Sequence, residues 1–273
     1  MSEPLDQPDH PGHLVHPDRL DSLVRRTCER GVVTLTLDSP ANRNAVSSRL
    51  VAELGDGLAQ AGADKGVRAV VLTHTGSVFC AGADLNEATS GDPTSGPKHL
   101  VQLMRAIIEL SKPVLAKVDG HVRAGGMGLI GACDVAVAGP KATFAFTEVK
   151  LGLAPAVISL PLLPRLNSRA ASAWYLTGAT FDAAEAARIG LITHAAADED
   201  GVDAACEEYL ESLRKASPQG LAETKRLVTA DVLKSFDERC DAMVETSARL
   251  FGSPEAQEGM RAFLERRTPS WAK

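Results

Sequence analysis

Between residues 31 and 139 the sequence alternates short β-branched runs with stretches of helical periodicity, and this alternation restricts the fold more than any other feature. GVVTLTL (31–37) is followed by a helical stretch from Ser47 to about Ala63 and then by VRAVVLTH (67–74). Such continuous apolar runs suit strands buried on both faces, and the helix between them supplies the crossover that parallel strands need. A second cycle follows, with a helix near 98–111, the strand PVLAKVDG (113–120), a glycine-rich turn, a helix through Ala132 and the strand DVAVAG (134–139). The core is therefore expected to be α/β. After about residue 160 the pattern changes to helices, predicted at 168–176, 182–189, 202–216, 218–230, 236–250 and 254–265. Asp182 and Ser217-Pro218 act as helix-start signals, and Gly178 and Gly190 as stops.

These patterns predict three segments. Residues 1–20 hold four prolines and three histidines (His10, His13, His16) with few apolar side chains, and are expected to be a disordered tail that binds no metal. Residues 21–205 should form the sheet core. Residues 206–273 should form a helical region too thin in apolar residues to stand alone, and so packed on the core or on another subunit.

Composition excludes several classes. With 35 acidic against 29 basic residues, a formal charge of -6 and 4% aromatics, the chain lacks the electrostatic and stacking surface of a nucleic-acid binder. Five widely spaced cysteines, an odd number with no C-x-x-C pair, argue against a disulfide scaffold or structural zinc. No apolar run of membrane-spanning length occurs, and the first residues are acidic and proline-rich where a signal peptide would be basic and then apolar. A cytoplasmic protein without membrane partners is expected.

Two glycine-bearing turns each follow a buried-strand pattern: GSVFCAGADL (76–85) and GHVRAGGMGL (120–129). Glycine permits close backbone approach, and the second turn leads into a helix whose first amides have no intrahelical partner. Neither turn carries the Gly-Lys-Ser/Thr of a phosphate-binding P-loop. The remaining use is an oxyanion hole, in which two backbone amides converge on a carbonyl oxygen that gains charge during reaction. TFAFTEVKLGLAPA (143–156) then places Glu148 just after a short strand, as a candidate proton carrier.

Read together, PANRNAV (40–46), VRAVVLTHTGSVFCAGADL (67–85), KPVLAKVDGHVRAGGMGLIGACDVAVAG (112–139), FAFTEVKLGLAPA (144–156), YLTG, AARIGLI and EGMRAFLERR resemble the crotonase superfamily of enoyl-CoA hydratases and isomerases. The resemblance implies a crotonase-like ββα spiral core with a C-terminal helical trimerisation region, assembled as a homotrimer or dimer of trimers. It implies an acyl-CoA thioester as substrate, with no separate cofactor. By alignment it gives the two oxyanion donors to the backbone amides of Ala83 and Gly125 and the catalytic carboxylate to Glu148. It assigns coenzyme A to Arg43 and Ala45, to the turn of Ala81, Asp84 and Leu85, and to Phe263 and Arg266 of a neighbour's last helix. Asp84 is also expected to fix its own turn by accepting backbone hydrogen bonds.

One departure from the family pattern stands out: the first catalytic glutamate of ordinary hydratases is replaced by Gly128. Three outcomes follow: hydration with one glutamate, double-bond isomerisation, or a non-catalytic acyl-CoA-binding fold. TEVKLGLAPAVIS resembles hydratases of branched or carboxylated acyl chains, methylglutaconyl-CoA-like substrates among them, more than straight-chain enzymes. Hydration is therefore placed first, and the missing side chain at Gly128 is expected to leave a roomier pocket. Arg123 is expected to meet a substrate carboxylate or coenzyme A phosphate, or to form an inter-subunit salt bridge, and His121 to pack. Cys80 and Cys133 read as small buried hydrophobes.

Overall fold

A computed structural model describes residues 22–88 and 92–272; the tail expected at 1–20, with its histidines, lies outside the described residues. Two sheets form the core. The strands are β1 (Val24–Glu29), β2 (Val32–Leu37), β3 (Ala69–His74), β4 (Val78–Cys80), β5 (Val114–Val118), β6 (His121–Arg123), β7 (Val135–Ala138), β8 (Thr143–Ala145), β9 (Phe181–Asp182) and β10 (His194–Ala195). The helices are α1 (Ser48–Ala63), α2 (Leu85–Ala88), α3 (Ser95–Glu109), α4 (Gly125–Ala132), α5 (Ser159–Leu162), α6 (Ser168–Thr177), α7 (Ala183–Arg188), α8 (Glu199–Lys215), α9 (Pro218–Val228), α10 (Ala230–Phe251) and α11 (Pro254–Leu264).

The larger sheet has the order β1-β2-β3-β5-β7-β10, parallel throughout except for the antiparallel β1–β2 pair. Its central strands have the continuous apolar character read from the sequence: Val70, Val71 and Leu72 are buried, with α1 and α3 on one face and α8 on the other. The edge strand β1 escapes the sequence pattern because Arg25, Arg26 and Glu29 interrupt its apolar character, as an edge with one solvated face permits. The smaller sheet, β4-β6-β8-β9, is parallel over its first three strands. Cys80 lies beside Val122, and Val122 beside Phe144, so the carboxyl ends of β4, β6 and β8 emerge side by side.

The helical C-terminal region follows the start signals closely. Asp182 accepts from the Glu185 N–H at the start of α7, and Ser217 accepts from the Gly220 N–H with Pro218 in the first turn of α9. α10 begins six residues earlier than the sequence reading places it, because Thr229 serves both as the end of α9 and as the start of α10. The boundary expected at 205/206 falls inside α8, whose Val202, Ala205, Cys206 and Leu210 are buried with Val32, Val71 and Leu115 of the large sheet.

Candidate active site

The ends of β4, β6 and β8 deliver three elements to one place: the 81–84 turn, the first residue of α4 and the 3-10 turn of residues 147–151. Carboxyl ends of parallel strands are where open α/β folds build their sites.

The first turn is held from the side by the 42–46 loop. The Ala81 N–H donates to the Arg43 carbonyl (3.1 Å), the Val46 N–H to the Gly82 carbonyl (2.8 Å) and the Asp84 N–H to the Val46 carbonyl (3.2 Å). Val46 and Ala83 thus form a parallel bridge whose two bonds flank Ala83, so the N–H of Ala83 itself faces the other way. A Cβ on Gly82 would lie 2.7 Å from the Ala124 Cβ and 3.5 Å from the Gly125 nitrogen, so only glycine allows the turns to close on each other.

Gly125 is the first residue of α4, and its N–H belongs to the unpaired donors of a helix start. The preceding Ala124 is held at φ 45°, ψ -117°, a conformation that disfavours any residue with a Cβ. The strain aims the start of α4 at the first turn. Gly126 is required next, because a Cβ there would sit 2.7 Å from that of Cys80. The run from Gly126 to Gly131 has the glycine spacing of a dinucleotide-binding loop, but it lies wholly buried inside α4, where the absent Cβ atoms admit Cys80, Met104, Ile158 and Leu162.

Glu148 sits in the 147–151 turn, 8% exposed, and its Oε2 has no hydrogen-bond partner. Burial pushes its carboxyl up to about 7, only partly opposed by a hydrogen bond from its own backbone. The turn is fixed by the Gly152 and Leu153 N–H groups, which both donate to the Glu148 carbonyl, and by α11, which packs against it so closely that Gly259 admits no Cβ beside Leu151. The arrangement can therefore hold a carbonyl oxygen on two main-chain donors and exchange a proton through one carboxyl near neutrality.

The remaining residues of the sequence reading fall into separate groups. Ala45 is buried in the 42–46 loop. Arg43 is exposed, in a left-handed conformation, at the rim of a cavity of about 240 Å³ formed with Pro40, Thr75, Gly76, Ser77 and Val78. Asp84 accepts from the Asn42 amide (2.8 Å) and the Asn86 N–H (2.9 Å), and Leu85 packs with Leu153, Ala256 and Met260. Phe263 (55% exposed) stands at the outer end of α11 and Arg266 two residues beyond it; the inner face of α11 covers the Glu148 turn of the same chain. Arg267 beside them is engaged by Glu258 and Glu265.

One expectation needs correction. The space beside Gly128 is filled: a Cβ there would lie 2.6 Å from the Met104 Sδ and 2.8 Å from the Ile158 Cγ2. Replacing a carboxylate by glycine lets apolar side chains move in, so the pocket gains no room. Arg123 is half-buried and donates to the Val122 carbonyl (2.8 Å), the Thr143 carbonyl (2.6 Å) and the Thr143 hydroxyl (2.9 Å), which ties β6 to β8. His121, exposed, meets the same Thr143 hydroxyl (2.8 Å). Cys80 and Cys133 are buried and their thiols are pushed up to about 12, which keeps them protonated.

Sequence reasoning missed Tyr175. Its hydroxyl is buried without a hydrogen-bond partner, and its ring lies 4.1 Å from that of Phe146, two residues before Glu148. It is one of only two tyrosines in the chain, and that scarcity was the available signal.

Two closely packed glycine turns and one buried carboxyl at the ends of neighbouring strands make up an enzyme-like site. The profile of the enoyl-CoA hydratase/isomerase family matches residues 27–273, and the chain belongs to this family, the crotonase superfamily, as one of its enzymes. A crystal structure of an enoyl-CoA hydratase from Mycobacterium avium is 52% identical, with TM-score 0.86 over 93% of this chain and all of the other. Among curated relatives, the enoyl-CoA hydratase EchA19 of Mycobacterium tuberculosis is 31% identical over 92% of this chain and 96% of its own length. The 1,2-epoxyphenylacetyl-CoA isomerase of Escherichia coli is 32% identical over 89% and 95%. Among the described residues no helix is long and apolar enough to cross a membrane.

Proposed function

We propose that the protein adds water across the 2,3 double bond of a 2-enoyl-CoA thioester, with Glu148 as the single proton carrier. The observation that supports this reading is a buried carboxyl with an unpartnered oxygen, pushed up to about 7 by burial, in a fold whose two glycine turns close on each other at Gly82 and Ala124. Ionised Glu148 takes a proton from water as the water oxygen bonds to C3. The π electrons move through C2 to the thioester oxygen, where the Ala83 and Gly125 N–H groups stabilise the enolate. Glu148 then returns its proton to C2 as the carbonyl re-forms. Proton transfer and hydrogen bonding supply the whole reaction, so no cofactor beyond the coenzyme A of the substrate enters the scheme.

Arg43 at the rim cavity is our candidate for a coenzyme A phosphate, through its guanidinium. The turn of Ala81, Asp84 and Leu85, with Ala45 behind it, would line the pantetheine path. Phe263 and Arg266 would serve a neighbouring subunit. A homotrimer is supported by large exposed apolar side chains on the helical region: Leu227, Val228, Phe263 and Leu264. Sedimentation velocity tests it. The five free cysteines among the described residues suit a reducing cytoplasm.

Loss of enoyl absorbance with crotonyl-CoA and with 3-methylglutaconyl-CoA tests the reaction and sorts linear from carboxylated acyl chains. Undiminished turnover by Glu148→Gln would remove Glu148 from the mechanism. The apolar filling beside Gly128 favours one second reading, a Δ3,Δ2-enoyl-CoA isomerase in which Glu148 moves a proton from C2 to C4. Conversion of a 3-enoyl-CoA, with no oxygen taken up from labelled water, would identify it.

A further inference from the structure

Two buried polar atoms in one site lack partners, and they belong to different elements. One is Oε2 of Glu148 on the 147–151 turn; the other is the hydroxyl of Tyr175 in the last turn of α6. A buried polar group left unpaired is costly, so two of them close together mark a position where a further polar group belongs. The Tyr175 ring is held by Phe146 at 4.1 Å, and the end of α6 presses on the same segment, with the Gly178 Cβ position 3.0 Å from the Phe146 carbonyl. The phenol is thus fixed against the strand end that carries Glu148.

The surroundings define what the hydroxyl can do. Of the charged groups on these elements, Glu148, Lys150 and Arg169, only Glu148 bears electrostatically on the phenol; burial and that carboxylate both keep it neutral. The Ser159 side chain interacts with the phenol, beyond the length of an ordinary hydrogen bond, and donates its own proton to the Pro155 carbonyl (2.6 Å). Ser159 follows Ile158, the residue that fills the space beside Gly128. The phenol is thus close enough to the Glu148 carboxylate and to Ser159, the residue after that apolar wall, to interact with both.

We propose that the Tyr175 hydroxyl and the Glu148 carboxylate together hold the water that adds to the enoyl thioester, the phenol orienting it and the carboxylate taking its proton. Tyr175 is a water-positioning residue; it undergoes no net proton change. The proposal deepens the hydration reading and rests on it.

The test is Tyr175→Phe, which keeps the ring and its packing. The expected result is a kcat about 10- to 100-fold lower, the range of one hydrogen bond to a charged group, with KM for the thioester little changed. The acid limb of the kcat/KM profile should move to higher pH, because the carboxylate loses part of its support. Infrared titration of the full chain, with the Glu148 band identified by Glu148→Gln, should show the same upward move without any turnover. A purely structural phenol would lower the melting temperature and leave both the limb and the band in place, which overturns the proposal. If the wild type hydrates no enoyl thioester, the hydration reading fails, and with it the water's role; an unmoved infrared band would separately reject the Tyr175–Glu148 pairing. Ser159→Ala guards against a folding artefact. It should retain the wild-type rate and limb, and a loss equal to that of Tyr175→Phe would assign the phenol to Ser159 instead and overturn the proposal.

Discussion

Gly128 and Ile158 pack face to face, so that a Cβ added to the glycine would lie 2.8 Å from the isoleucine Cγ2. Met104 closes the same space from α3. Its thioether can swing aside, but the β-branched Ile158 cannot turn without disturbing α5. Gly128→Ala should therefore cost about 1–3 kcal/mol through overpacking, and Gly128→Glu more, since a carboxylate would be forced into an apolar wall. Urea denaturation of both variants measures this. A Gly128→Glu protein of wild-type stability would show that the wall yields.

Glu148 should govern both rate and stability through its ionisation near 7. As a base it must be ionised, so kcat/KM should fall as pH drops below about 7, and Glu148→Gln should lose about 10²- to 10⁴-fold. The stability effect has the opposite sense. The folded value lies above the ordinary 4.5, so the fold favours the protonated form, and stability is lost as pH rises from the unfolded value through about 7. Glu148→Gln escapes that loss. Its advantage over wild type should be smallest near pH 5 and grow toward about 3 kcal/mol by pH 8. Melting curves across that range check the sign.

Ala124 holds a positive φ without being glycine. Ala124→Gly should relieve about 1–3 kcal/mol of backbone strain and give back about 0.4–1 kcal/mol in unfolded-chain entropy. A net gain of about 1 kcal/mol corresponds to a melting point about 2–4 °C higher. The variant should keep its activity, because the donors of the turn are main-chain groups. A lower melting point would mean that Ala124 stores no strain.

Lys225 and Asp134 form an ion pair in the interior. The ammonium, 5% exposed, meets Asp134 Oδ2 at 2.7 Å and also donates to the Ile107 (2.8 Å) and Lys112 (3.1 Å) carbonyls. The same carboxylate oxygen accepts from the Val114 N–H (2.7 Å), so the pair joins α9 to the starts of β5 and β7. Lys225→Met should cost about 3–5 kcal/mol, because Asp134 is left charged and buried. Adding Asp134→Asn should recover much of that. A single variant as stable as wild type would show that water reaches the pair.

The sequence determined the periodic elements and the turns. Runs such as Val70 to Leu72 announce strands buried on both faces, and Ser217-Pro218 announces a helix start, because these signals act over a few neighbouring residues. The family likeness brought Ala83, Gly125 and Glu148 forward as residues of one site. What local signals could not convey was contact between distant segments. The closure of Gly82 on Ala124, the filling of the Gly128 space by Met104 and Ile158, and the binding of Arg123 to Thr143 join residues from separate strands and helices. The charged strand β1 was hidden because an edge needs only one apolar face. Tyr175 carried no motif of its own, and only the packing of α6 against Phe146 put its hydroxyl in the same buried place as Glu148. Burial sets that carboxyl near 7, and burial is a property of the assembled fold: every element that excludes water from it lies elsewhere in the chain.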